Sequence, residues 1–284
     1  MLGAEFVDIL CIGSGSAGLA VGVAGASAGL NVFVAEPNRE VTAPARTGAS
    51  SVESWLTVLQ RRWGAEEFNA ASINYLDQLT SSIGPPAQIK ASGHLRVDTV
   101  ETFAAVDVDP TEPVPPFRGA DLATWARECL TSPFGMIFSR VSPSTLKPVR
   151  KVDGTSVNAG FIASVPMARR RETTVRQWLV ELAAVTGVEV HQSCSMQRLL
   201  FSDGQLVGAV LDTPEGVRTV RARRGVVLGT SCATVDDALR MSPMANGAEI
   251  KLCAVGKTAS RFSRLEFLLS AAAYGECAAP GRLA

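Results

Sequence analysis

Residues 9 to 35 carry no charged side chain, and six glycines fall inside that stretch: Gly13, Gly15, Gly18, Gly22, Gly25 and Gly29. A charge-free run of this length reads at first as a membrane span. Glycine in a helix interior costs about 1 kcal/mol relative to alanine. Six of them, three crowded at the start, argue against one continuous helix. A strand over Phe6–Ile12, a tight turn, a helix over Ser16–Gly29 and a second strand over Asn31–Ala35 explain the same residues better. Gly18, Gly22, Gly25 and Gly29 recur at spacings of four, three and four, so one helix face is nearly bare and can lie close to a sheet.

Gly13-Ser14-Gly15-Ser16-Ala17-Gly18 is G-x-G-x-x-G between that strand and that helix. The first glycine permits the turn, the second lets the backbone approach a pyrophosphate, and the third lets helix and strand pack. The helix N-terminus then offers N–H groups to phosphate oxygens. Glu36 ends the second strand, 23 positions after Gly13, where a carboxylate can accept hydrogen bonds from a ribose hydroxyl. It would repel a 2′-phosphate, which disfavours NADP. These residues alone suit NAD or the ADP half of FAD.

The 284-residue chain has zero formal net charge, so charge balance points to neither nucleic acid nor a membrane surface. The six cysteines, Cys11, Cys129, Cys194, Cys232, Cys253 and Cys277, form no C-x-x-C pair, which suits reduced thiols and a cytoplasmic location. The two histidines, His94 and His191, lack the neighbours of a zinc site or a Ser-His-Asp triad. The start, MLGAEFVD, lacks a basic n-region, and no signal peptide is expected. The arginine clusters at 169–171 and 221–224 read as solvated turns or strand ends.

Helical patterns are expected over 52–62, 66–82, 121–130 and 175–186, and strand-like pieces over 88–108, 135–141 and 159–165. A short strand (VEVH) follows, then three strands over 195–201, 205–211 and 216–222, turned by Asp203-Gly204 and Thr213–Gly216, then a buried strand, GVVLGT. Helices are expected over 234–241, 246–256 and 264–273, with the apolar run RLEFLLSAAAY as a possible partner surface.

That order of elements resembles the FAD-binding fold of the fumarate reductase / succinate dehydrogenase flavoprotein and 3-ketosteroid dehydrogenase superfamily. The family's first strand reads like DVVVVGSGAAGLAAA, against VDILCIGSGSAGLAVG here; its meander and DGRVVGV and RGVVLATGGF segments match GVEVHQSCSMQRLLFSDGQLVGAVL and RRGVVLGTSCAT. The resemblance covers 5–40 and 173–232. It implies an α/β fold: a Rossmann-like FAD-binding domain from residues 1–50 and 171–284, with a central parallel sheet, helices on one side and a three-stranded meander on the other, and an inserted lobe over 51–170. It further implies FAD held by Gly13, Ser14, Gly15, Ser16, Ala17, Gly18 and Glu36. Ser50 would stand in the reduced remnant of a GGTT-like loop, Ser195 and Met196 beside adenine, Gly229 and Thr230 beside the flavin phosphates, and Glu276 near the ribityl chain.

Where the family has ATGG, this chain has GTSC, with Cys232 at the second glycine. Family members continue into a cap domain that shapes the substrate pocket and carries the proton donor; residues 233–284 are too few for one. Acid candidates are sparse, since only Tyr75 and Tyr274 match the family's tyrosine chemistry by type. The resemblance therefore implies an FAD-dependent oxidoreductase, or a subunit of one, acting on a carbon–carbon bond next to a carbonyl in a small, steroid-like molecule. It would need another protein chain or a second copy to complete its site. The alternatives are a non-catalytic FAD-fold subunit with an assembly role and a soluble NAD-dependent dehydrogenase.

Overall fold

The computed structural model describes residues 4–37, 54–86, 95–104, 119–140, 146–165, 174–230 and 250–271. Strand β1 (Glu5–Ile12) leads through the glycine turn into helix α1 (Ser16–Ser27) and strand β2 (Val32–Ala35). The bare face of α1 meets the sheet as its spacing demands: a Cβ on Gly22 would lie 3.0 Å from Val34 Cγ2, and one on Gly25 would lie 2.7 Å from Val32 Cγ2.

Helices α2 (Trp55–Arg62) and α3 (Ala70–Thr80) precede strand β3 (Val97–Val100), and helix α4 (Gly119–Thr131) precedes strands β4 (Gly135–Phe138), β5 (Lys147–Arg150) and β6 (Ser156–Ser164). Ser54 caps α2 by accepting from Thr57 N, and Asn69 caps α3 by accepting from Ser72 N. Helix α5 (Val175–Thr186) begins with a capping box between Thr174 and Gln177 and ends at Gly187, whose φ of 74° is left-handed. Then come β7 (Val190–His191), β8 (Ser195–Ser202), β9 (Gln205–Thr213) and β10 (Gly216–Gly229). Asp203 and Gly204 both have positive φ, 50° and 73°, as a two-residue hairpin turn requires. The last meander strand and GVVLGT are one continuous strand, β10. Gly216 to Arg221 pair with β9, and Val220 to Leu228 pair with β1.

All twelve described strands join one sheet, in the order β5-β6-β11-β12-β4-β10-β1-β2-β7, with β3 beside β12 and β8–β9 beyond β10. The run β10-β1-β2-β7 is parallel and carries the dinucleotide half. The run from β5 to β4 is antiparallel. Helices α1 and α5 cover one face. Helices α2, α3 and α4 share the other face with the meander.

Two expectations fail here. Where helices are expected over 246–256 and 264–273, the described residues form strands instead, β11 (Ile250–Gly256) and β12 (Phe262–Ser270), paired antiparallel. Every residue of β12 is buried, because β11 and β4 flank it and side chains are covered on both faces. Its leucines and phenylalanines are core and present no partner surface. Helix 234–241 lies outside the described residues, as does the basic cluster 169–171. Arg224 of the second cluster is exposed and lies 3.8 Å from Asp8, at a solvated edge. No described helix is long and apolar enough to cross a membrane.

Candidate dinucleotide site

Three parallel strands end at Gly13. Its N–H donates to Ala35 O at the end of β2 (2.9 Å), and its φ of +96° turns the chain sharply. A Cβ there would lie 3.2 Å from Gly229 O at the end of β10. A Cβ on Gly18 would run into Gly13 O, so the helix can approach the turn only with glycine at that position. Gly15 is the N-cap of α1 and no side chain caps that end, which leaves first-turn N–H groups to a ligand. Ligands bind in such α/β sheets in the crevice beyond the carboxyl ends of the parallel strands.

Two hydroxyls at this crevice are buried without a hydrogen-bond partner: Ser14 Oγ and Thr230 Oγ1. Buried hydroxyls are nearly always paired, so orphaned ones beside a glycine turn fit a phosphate acceptor. Thr230 N–H donates to Gly135 O (2.9 Å), which ties the strand end to β4. The residues present therefore fit a dinucleotide pyrophosphate.

Glu36 follows β2, with N–H donated to His191 O and carbonyl accepting from Cys194 N, both at 2.8 Å. Its backbone is thus locked between β7 and β8, and its side chain is buried. Arg176 Nη2 lies 3.1 Å from Glu36 Oε1. Arg176 stands in the first turn of α5, held there by the capping box, and its Nε is buried with no partner.

Met196 is 1% exposed and packs in the core, and its N–H donates to Trp63 O at 3.0 Å. Ser195 Oγ faces the Trp63–Gly64 corner, where a Cβ on Gly64 would lie 2.8 Å from it. Trp63 is fully buried, and its Nε1 donates to Gly229 O at 2.8 Å. The turn residues, Glu36, Gly229 and Thr230 thus gather at the strand ends, while Ser195 and Met196 join them through Trp63. Ser50 and Glu276 lie outside the described residues, as do Tyr274 and His94. Tyr75 is on α3, and its hydroxyl accepts from Arg261 Nη1 (3.3 Å). Burial pushes that phenol up, opposed by Arg261.

A family model described as "FAD binding domain" matches residues 8–255. The chain belongs to the FAD binding domain family. Its cofactor is FAD. No curated protein matches the chain. Solved structures that the chain matches include a geranylgeranyl bacteriochlorophyll reductase-like protein from Thermoplasma acidophilum (12% identity, 96% of this chain and 58% of that one, TM-score 0.31). Others are a 3-ketosteroid-delta4-(5alpha)-dehydrogenase from Rhodococcus jostii RHA1 (20%, 82% and 52%, TM-score 0.31) and a flavocytochrome c3 fumarate reductase (16%, 79% and 33%, TM-score 0.30). The chain spans less than two thirds of the length of each of these proteins.

The sequence reading missed Arg176, Trp63 and a buried charge cluster on β12 around Glu266. It sought an acid among tyrosines. Cys11, Cys129, Cys194 and Cys253 are free and buried. Burial pushes the Cys11 and Cys253 thiols up to about 12 and Cys194 to about 11, so none is a ready thiolate.

Proposed function

We propose that this chain is the FAD-holding part of an oxidoreductase. It moves hydride to or from a carbon–carbon bond next to a carbonyl in an apolar, steroid-like small molecule. Residues 1–50 and 171–284 hold FAD, residues 51–170 shape the substrate side, and a partner chain or second copy completes the pocket. The cytoplasm is the compartment that its free cysteines suit. The observation that carries the reading is the crevice itself, with Gly13 wedged between two strand ends and Ser14 Oγ and Thr230 Oγ1 buried and unpartnered beside it.

FAD supplies a two-electron, hydride-accepting ring when bound. This chain's residues do the rest. Backbone N–H groups of the α1 first turn and the two hydroxyls would hold the phosphates, and Glu36 would accept from ribose hydroxyls. Trp63 and Met196 close the groove against water.

A second reading has two observations in its favour. The Glu36 carboxylate already holds Arg176, and the Met196 N–H is already given to Trp63. A subunit that keeps the fold for assembly needs no more than that. The test is anaerobic photoreduction of the flavin-loaded chain, then mixing with cyclic enones and ketosteroids, with and without a candidate partner chain. The oxidoreductase reading expects an unsaturated carbonyl to reoxidise the flavin well above the buffer control. A flavin that oxygen reoxidises and no unsaturated carbonyl does would leave the assembly reading.

A further inference from the structure

Glu266 lies on β12 with 0% of its surface exposed. Its Oε1 accepts from Arg264 Nε at 2.7 Å, whereas Oε2 accepts no hydrogen bond. Lys151 Nζ lies 3.9 Å from Oε2. Lys151, just past β5, is itself buried and bonds Asp98 on β3, and Asp98 meets the exposed Arg96 at 3.1 Å. Arg264 turns its other arm to Glu128 Oε2 on α4 (2.8 Å). Cys253 on β11 pairs across from Glu266, and Cys129 lies on α4 beside Arg264. Three carboxyls thus face two buried cations. A fully buried carboxylate with one oxygen unmet is costly, and a proton on that oxygen removes the cost. Burial pushes the Glu266 carboxyl above the usual range, opposed by Arg264 and Lys151.

The position matters as much as the charge. Arg264 pairs with Gly135, and Gly135 O accepts from Thr230 N at the FAD crevice. Two strand spacings, about 10 Å, separate β10 from β12. Glu266 stands two residues further along β12, past the level where β10 ends. No other described carboxyl combines full burial, an unpartnered oxygen and this location.

We propose that Glu266 holds the proton exchanged in the redox reaction at this FAD site, with Lys151 and Asp98 passing it to solvent. This rests on the flavoenzyme reading above. In the dehydrogenating direction a substrate C–H bond breaks and its electron pair leaves as hydride to FAD, the oxidant. Glu266 first gives up the proton it holds, and as the neighbouring C–H bond breaks and its electrons form the C=C bond, the proton from that carbon takes the vacated place on Glu266 Oε2. The proton that Glu266 gives up crosses the 3.9 Å to Lys151 as Lys151 gives one to Asp98. Reduction runs the same steps backward.

Infrared difference spectroscopy of the flavin-loaded chain tests this without a substrate. Wild type should show a protonated-carboxyl C=O band at neutral pH that shifts in D2O, changes when dithionite reduces the flavin, and is missing in Glu266→Gln. Lys151→Met should slow hydrogen–deuterium exchange of the band by about tenfold or more. Should Glu266→Gln fail to fold, Glu266→Asp should move the band instead of deleting it. A Glu266 that is ionised at neutral pH, or a band blind to flavin reduction, overturns the proposal. A chain that takes up no flavin is a separate failure, that of the flavoenzyme reading, and is seen as a colourless protein before any band is recorded.

Discussion

Trp63 braces the two ends of the dinucleotide groove. Its carbonyl accepts the Met196 N–H at 3.0 Å, and its indole Nε1 donates to Gly229 O at 2.8 Å. Gly229 O in turn sits against Gly13, so the C-cap residue of α2 sets the spacing of the phosphate turn. Trp63→Phe keeps most of the ring and deletes the donor. It leaves a buried carbonyl unpaired, at a cost of about 1–3 kcal/mol. Urea unfolding should show that loss, and FAD titration should show affinity several-fold weaker.

Gly18→Ala tests the close approach of α1 to the turn. The added methyl meets Gly13 O, which is backbone and cannot rotate aside. Overpacking of this kind costs about 1–3 kcal/mol, and here the displaced group carries the phosphate cradle. The expected outcome is a folded, less stable protein with FAD affinity reduced at least about tenfold, read by fluorescence titration.

Glu36 and Arg176 should be energetically coupled, since their contact is largely out of solvent. A double-mutant cycle with Glu36→Gln and Arg176→Met should give a coupling of about 1–2 kcal/mol in thermal or urea unfolding. Glu36→Gln alone should weaken FAD binding by about tenfold through the lost charge-assisted bonds to ribose. Full additivity of the two changes would show that the pair does nothing for stability.

His191 stacks on Phe33 with ring centroids 3.8 Å apart. Burial lowers its pKa from the ordinary 6.5, helped by Arg218 and opposed by Glu189, Glu5 and Glu215. The unfolded chain therefore takes up a proton before the folded one does. Stability is present above about 6.5 and falls as pH drops through that value. Asp98 works in the same direction at lower pH. Burial opposes its ionisation, but Lys151 and Arg96 hold its carboxyl below the usual range, and that contribution is lost as pH falls through it. The urea midpoint of wild type should drop between pH ~7.5 and ~5.5, and His191→Phe, which keeps the stack, should flatten the drop.

The dinucleotide half was legible because its signals are local. Gly13, Gly15 and Gly18 lie within six residues, and Asp203-Gly204 announces its own hairpin. Strand β12 was not legible as a strand. Leu265, Leu268 and Leu269 match helical spacing, and only the distant partners β11 and β4 decide the matter. A signal was nonetheless present, since Arg264 and Glu266 alternate with Leu265 and Phe267, which puts both charges on one face of a strand. Arg176 reaches Glu36 across 140 positions, beyond any local pattern. The Thr174–Gln177 capping box could have placed it in the first helical turn, but not beside a carboxylate.

The most direct measurement is the visible absorption spectrum of the purified chain, with release of its chromophore on denaturation and titration of added FAD. The account predicts a yellow protein, or a colourless one that takes up FAD, and weaker uptake in Gly18→Ala. A colourless wild type that binds no added FAD would contradict it.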